Sequence, residues 1–252
     1  MSRLCTVVLC ASMWVFGWLW TAAAQAQTPA DKPAAAAASA SAGKVPDTLA
    51  QRVLACALCH GANGEGQKLN EYHPRLATKP EVYLYNQLIN FRDKRRESGI
   101  MNYMVAYLSD GYLFEIAAHY AKLQPAYPAP SKRAPADELA RGGKLVNEGD
   151  TSRKLPSCVS CHGQALTGMD PAIPGLVGLY PPYIAAQLGA WKNGTRRAMQ
   201  PDCMHDVAAL LTETDIGAIT AWLVAQPVPT DVRAAPAGSL KLPLECGGLI
   251  KK

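Results

Sequence analysis

The chain has 252 residues, 49% of them hydrophobic, and a formal net charge of +5. That length allows one large domain or two small ones with separate cores. A surplus of five cations, one of them Arg3, does not mark a nucleic-acid binder.

Residues Leu4 to Trp20 are uncharged and mostly apolar, and small residues lead to Ala24-Gln25-Ala26. This reads as a secretory signal peptide over residues 1–26, cut after Ala26. The alternative is an uncleaved anchor, since the run approaches the ~20 residues of a membrane span. Cys10 follows Val-Leu with no small residue before it, so no lipoprotein anchor is read. Export implies the periplasm and an oxidising compartment. Residues 27–44, rich in Ala, Pro and Ser, form a tether with nothing to bury.

A first domain is expected over 45–124. Asp47 can cap a short helix, Thr48 to Ala57. That helix delivers Cys56-Ala57-Leu58-Cys59-His60, a C-x-x-C-H motif. Two thiols three apart on a helical turn can add to both vinyl groups of one porphyrin. The next residue then stands below the ring, where its imidazole can ligate iron. Zinc would need a fourth ligand, and a thioredoxin-like site would need strand alternation that is absent here. A Gly- and Asn-rich loop follows, then helices over Glu81–Lys94 and from Ser109-Asp110 to about Lys122. The basic run Arg92, Lys94, Arg95, Arg96 reads as a docking patch or a solvated helix end, and the second is preferred. Four prolines mark 125–135 as a linker.

A second domain, 136–226, repeats the pattern. Asp137 can cap Glu138–Val146, and a loop leads to the second motif, Cys158-Val159-Ser160-Cys161-His162. Pro181–Lys192 repeats the middle helix. Thr212-Glu213-Thr214-Asp215 resembles a capping box and opens a helix to about Ala225. Residues 227–252 form a Pro/Gly-rich tail without regular structure. Two motifs imply two covalent haems c per chain. Their four or so propionates bring the holoprotein near neutrality.

Of eight cysteines, Cys5 and Cys10 belong to the leader and four to the motifs. Cys203 and Cys246 remain, and in an oxidising compartment they read as a disulfide tying the tail to the second domain. Closing a loop of about 43 residues is worth roughly 4 kcal/mol.

The repeat aligns residue by residue. An offset of 100 pairs Pro74 with Pro174, Tyr83 with Tyr183, Gln87 with Gln187, Phe91 with Trp191 and Arg96 with Arg196. An offset of 103 pairs Leu108 with Leu211 and Met101 with Met204. A methionine at one shared place in both copies is what a sixth iron ligand requires. Met101 and Met204 are therefore the expected distal ligands opposite His60 and His162. Met104 is the rival to Met101 in the first domain, and Met169 and Met199 are the other candidates in the second. His73, His119 and His205 read as solvated or structural.

Together, the two haem motifs, the Pro-x-Leu after each, the paired Tyr-x-x-x-Gln-Leu helices and the Met before each last helix resemble the dihaem class I cytochromes c of the cytochrome c4 type. The resemblance runs from Val45 to about Gln226. It implies an all-α fold of two tandem class I cytochrome c domains, facing each other about a pseudo-twofold axis. It implies carbonyl acceptors at Pro74 and Pro174 for the proximal imidazoles, and propionate partners in Arg96 and Arg196. It also implies an electron carrier rather than an enzyme. A quinol–cytochrome c reductase or a dehydrogenase would be the donor and a terminal oxidase the acceptor. Membrane association would come only through a partner or an uncleaved leader. The tether and tail depart from the basic pattern and suggest a subunit serving a dehydrogenase complex. A dihaem peroxidase would need an open distal site, which a methionine in each half argues against. A pyridine haemochrome assay on purified protein should count two haems per chain; a count of one would overturn the two-domain reading.

Overall fold

Short polar side chains cap five of the nine α-helices among the described residues. The computed structural model describes residues 47–130 and 134–249. The expected signal peptide (1–26) and tether (27–44) lie outside the described residues, as do parts of the linker and tail.

In the first half, α1 spans Leu49–His60 and runs through the haem motif rather than stopping before it. Its cap is Thr48, whose side chain accepts from the Gln51 amide, and not Asp47. Asp47 instead pairs with Arg52 at 2.8 Å. Three more helices follow: α2 (Glu81–Arg92), α3 (Gly99–Val105) and α4 (Asp110–Lys122). Ser98 and Ser109 cap the last two, each accepting from the amide three residues on.

In the second half, α5 (Ala136–Asn147) begins after Pro135, which places Asp137 in its first turn rather than at its cap. A 3₁₀ turn, Thr151–Arg153, leads to α6 (Val159–His162). Then β1 (Gly168–Met169) pairs antiparallel with β2 (Ile173–Pro174). The half is completed by α7 (Pro181–Lys192), α8 (Cys203–Ala209) and α9 (Glu213–Ala225). The Thr212–Asp215 capping box is present in full. Sequence periodicity did not reveal α3 and α8. Seven residues, under two turns, are too few to register a helical period.

Each half packs its first helix on its last, α1 on α4 and α5 on α9, with the middle helix across them. Leu145, Val146, Ile184, Ile216, Ile219 and Leu223 form one continuous core in the second half. The first half has two smaller clusters, one around Leu84, Ile116 and Tyr120 and one around Phe91, Val105 and Leu113. The described residues thus form an almost wholly helical pair of tandem cytochrome c halves within one compact unit.

The repeat extends to the backbone. Thr78 and Gly178 share a left-handed conformation (φ 65° and 67°), as do Lys94 and Gly194 (φ 56° and 80°). Only the second copy fills both places with glycine, so the first tolerates a local cost of about 1 kcal/mol at each.

Asp215 ties the second half together. Its carboxylate is fully buried. It accepts from Arg153 at 2.7 Å, from Arg141 and from the Thr212 amide at 2.9 Å. Burial pushes this carboxyl up, but the hydrogen bonds from Arg153, Thr212 and Arg141 overturn that and hold it far below the usual carboxylate range. A carboxyl depressed on folding contributes stability above its unfolded pKa of ~3.9, and that contribution is lost as pH falls further through the folded value. Asp215→Asn should cost about 2 kcal/mol in urea unfolding at pH 7, since both arginines stay partly hydrated. The gap between native and variant should stay flat down to about pH 5 and shrink below about pH 4.

Candidate haem centres

The second centre forms at the end of α6. The His162 Nδ1–H donates to the Pro174 carbonyl at 2.7 Å, and the β1–β2 pair holds Pro174 there. Burial pulls the His162 imidazole below its ordinary pKa, so the ring is neutral with Nε2 left for a metal. Burial also pushes the Cys158 thiol up to about 12, which disfavours thiolate ligation of a metal. His162, Cys158, Cys161 and Met204 line one largely apolar cavity of about 210 Å³. Met199 lines it too, whereas Met169 is buried away from it in the β1 strand.

The first centre repeats the proximal side of this arrangement at the end of α1. The His60 Nδ1–H donates to the Pro74 carbonyl at 2.9 Å, and burial again lowers the imidazole. Cys56 and Cys59 are unpaired thiols one turn back. Met101, on α3, packs against the Phe91–Val105–Leu113 cluster, while Met104 is 38% exposed. His73 stands beside His60, ring centroids 6.2 Å apart, with its buried Nδ1 lacking a partner among the described residues. His119 lies edge-on to Tyr120.

The residue after each methionine carries a signal the sequence reading passed over. Asn102 Nδ2 donates to the carbonyls of Phe91 and Arg96. The His205 Nδ1–H donates to the Trp191 carbonyl at 3.0 Å. Phe91 and Trp191 are repeat partners, so both short helices are tied to the same point of the preceding helix. His205 is thereby occupied structurally.

Between the halves lies a symmetric seam. The backbones of Arg96 and Arg196 pair as an antiparallel bridge. Flanking amides extend it, Glu97 to the Thr195 carbonyl at 2.8 Å and Arg197 to the Arg95 carbonyl at 2.7 Å. Each guanidinium then crosses over. Arg96 donates to Gln87 in its own half and to Tyr183 and Gln187 in the other. Arg196 donates to Gln187 in its own half and to Tyr83 and Gln87 in the other. Each also stacks on its own aromatic partner, Arg96 on Phe91 at 4.5 Å and Arg196 on Trp191 at 3.5 Å. Arg96 is therefore not part of a solvated helix end; Arg92 and Arg95 are engaged as well, with Asp110 and Asp93.

These residues fit a covalent haem in each half. The imidazoles are neutral and oriented, the thiols are unpaired, and the second cavity is apolar. The seam also wants anions. Lys79, Arg96 and Arg196 are all buried, and none forms an ion pair with a carboxylate among the described residues. Against the upward push of burial, these three cations hold the Tyr183 phenol below its ordinary pKa.

Comparison with known proteins agrees with this chemistry. No family model matches the chain. It is 39% identical to a thiosulfate dehydrogenase electron acceptor from Thiomonas intermedia, over 72% of this chain and 83% of that one. It is 34% identical to a cytochrome c4 from Pseudomonas aeruginosa, over 68% and 84%. The crystal structure of reduced cytochrome c4 from Pseudomonas stutzeri superposes with a TM-score of 0.61 at 28% identity, covering 69% of this chain and 95% of that one. A thiosulfate dehydrogenase (TsdBA) from Marichromatium purpuratum gives 0.61 at 34% identity over 69% of this chain. The match spans only 36% of that longer chain.

Arg196→Met should remove three side-chain hydrogen bonds, two of them across the seam. The expected loss is about 2–3 kcal/mol. Scanning calorimetry should show one transition in the native protein and two in the variant.

Proposed function

The chain belongs to the dihaem cytochrome c4 family, and on that footing we propose that it accepts electrons from a dehydrogenase in the periplasm and passes them toward a terminal oxidase. It carries two covalent haems c and acts as an electron carrier, with no substrate of its own. The observation that carries the reading is the repeated centre. Each half has a C-x-x-C-H motif, an imidazole Nδ1–H on a proline carbonyl (2.9 and 2.7 Å) and a methionine on a short capped helix.

The haem iron supplies the one-electron couple. The protein's residues orient, exclude water and set the potential. Pro74 and Pro174 fix the planes of His60 and His162 by accepting their Nδ1 protons, which raises ligand basicity. Met101 and Met204 are the proposed distal ligands; a thioether favours the reduced state and closes the iron to exogenous ligands. The shared anchoring of Asn102 and His205 supports their equivalence. Arg96 and Arg196, with only neutral Tyr and Gln partners, are the proposed seats for propionates. The domains in this reading are 45–124 and 136–226, joined by the 125–135 linker.

Thiosulfate dehydrogenase is the donor we favour, because two relatives at 39% and 34% identity are named as its electron acceptor. A general carrier serving other donors is the second reading, favoured by the 34% identity to a cytochrome c4. Stopped-flow mixing of the oxidised protein with a thiosulfate dehydrogenase and thiosulfate should reduce both haems; a stable oxidised spectrum would leave the second reading in its place. Met101→Ala should remove half of the ferric Met-ligation band near ~700 nm, and Met104→Ala should leave it whole. The reverse result would reassign the first ligand.

A further inference from the structure

The C-terminal tail closes one haem cavity and not the other. Cys203 opens α8, directly before Met204, and is bonded to Cys246 with Cα atoms 5.2 Å apart. The next residue seats the tail on the backbone beside α8. The Gly247 amide donates to the Pro201 carbonyl at 2.8 Å. A Cβ at Gly247 would stand 2.0 Å from the Gln200 carbonyl oxygen, so nothing larger than glycine fits there. One residue on, the Gly248 carbonyl accepts from Asn86 Nδ2 on α2 of the other half at 2.9 Å. Between these ties, Leu244, Cys246, Gly248 and Leu249 line the same cavity as His162 and Met204.

Among the described residues, no disulfide-bonded segment is tied to α3 at the first centre. In the register that pairs Met101 with Met204, the place of Cys203 falls to Ile100, which is 64% exposed. The two centres therefore differ in cover, although their proximal sides match.

We propose that segment 244–249 is a positioning strap for Met204. Through the Cys203–Cys246 bond it holds the start of α8 against the second cavity, keeping the thioether on the second iron and barring small anionic ligands from it. The proposal rests on the assignment of Met204 as distal ligand. The disulfide is needed because the backbone pairing of Ala235 with Gly168 and Asp170 lies nine residues before the strap, and segment 244–249 itself has no regular structure and only two hydrogen bonds to the rest of the described chain. Without a covalent link, ordering it would cost backbone entropy that two hydrogen bonds do not offset.

The test uses the ferric holoprotein and two variants, Cys203→Ser/Cys246→Ser and Gly247→Ala, with cyanide as the probe. The ~700 nm band counts methionine-ligated iron, and cyanide binding reports whether a distal site opens. Native protein should show the band at the intensity of two methionine-ligated irons and no fast cyanide phase. In the double variant half of the band should weaken. Half of the haem should then bind cyanide about tenfold faster or more, the other half staying as in the native protein. Gly247→Ala keeps the disulfide but unseats the strap, and should open the same half to a smaller degree. Should the double variant not fold, native holoprotein reduced, alkylated and reoxidised supplies the same state. Unchanged bands and cyanide kinetics in every form would overturn the strap, as would equal opening of both haems. A native protein that itself shows only half of the band would overturn the methionine assignment, and the strap with it, a pattern distinct from failure of the strap alone.

Discussion

Two arginines, each bonded across to the opposite half, hold the two cytochrome folds in register. Arg96 and Arg196 are joined by backbone, crossed by side chain and stacked on Phe91 and Trp191. A buried guanidinium is stable only with its donors satisfied, and here neutral Tyr and Gln side chains from both halves share that work. The four Tyr and Gln partners sit on α2 and α7, one turn apart. This is why the Tyr-x-x-x-Gln spacing recurs in both copies. The same geometry leaves cationic charge in excess, with Lys79 added to it. That excess of buried, carboxylate-free cations is what the proposed propionate seats require.

Around that symmetric seam the halves have diverged. The second has one continuous core, a fully buried carboxylate bridging two arginines, and glycine at both left-handed turns. The first has two smaller clusters, Thr78 and Lys94 at those turns, and leaves Leu58, Tyr103 and Tyr107 in solvent. The linker compensates in part: Arg75 grips the Pro125 and Ala126 carbonyls and stacks on Tyr127, which in turn bonds Thr78. The disulfide-bonded tail adds cover to the second half only. One duplicated fold thus presents two different centres, and segment 244–249 lines the cavity of the second.

The long helices and the proximal ligands were legible because their chemistry is local. C-x-x-C-H, the Ser109 cap and the Thr212–Asp215 box each specify a turn or two of chain with no help from distant residues. The repeat extended that reach, matching methionines and arginines that no single copy would have singled out. The Cys203–Cys246 bond was also within reach, since the leader and the motifs accounted for every other cysteine.

Other features depend on neighbours far along the chain, and only the tertiary structure decided them. The α3 and α8 helices are too short to show a period, and it is the Phe91 and Trp191 carbonyls that anchor them. The repeat matched Arg96 with Arg196, but their crossed seam was hidden because the partners of Arg96, Tyr183 and Gln187, lie about ninety residues away. The tail looked featureless because prolines and glycines set no local structure, yet the disulfide and two hydrogen bonds place it on the second cavity. The sequence by itself determined the cofactor, the duplicated helical fold and the proximal chemistry, since these follow from side chains adjacent in the chain. How the halves lock together and which centre is covered depend on contacts between remote segments, and those exist only once the chain has folded.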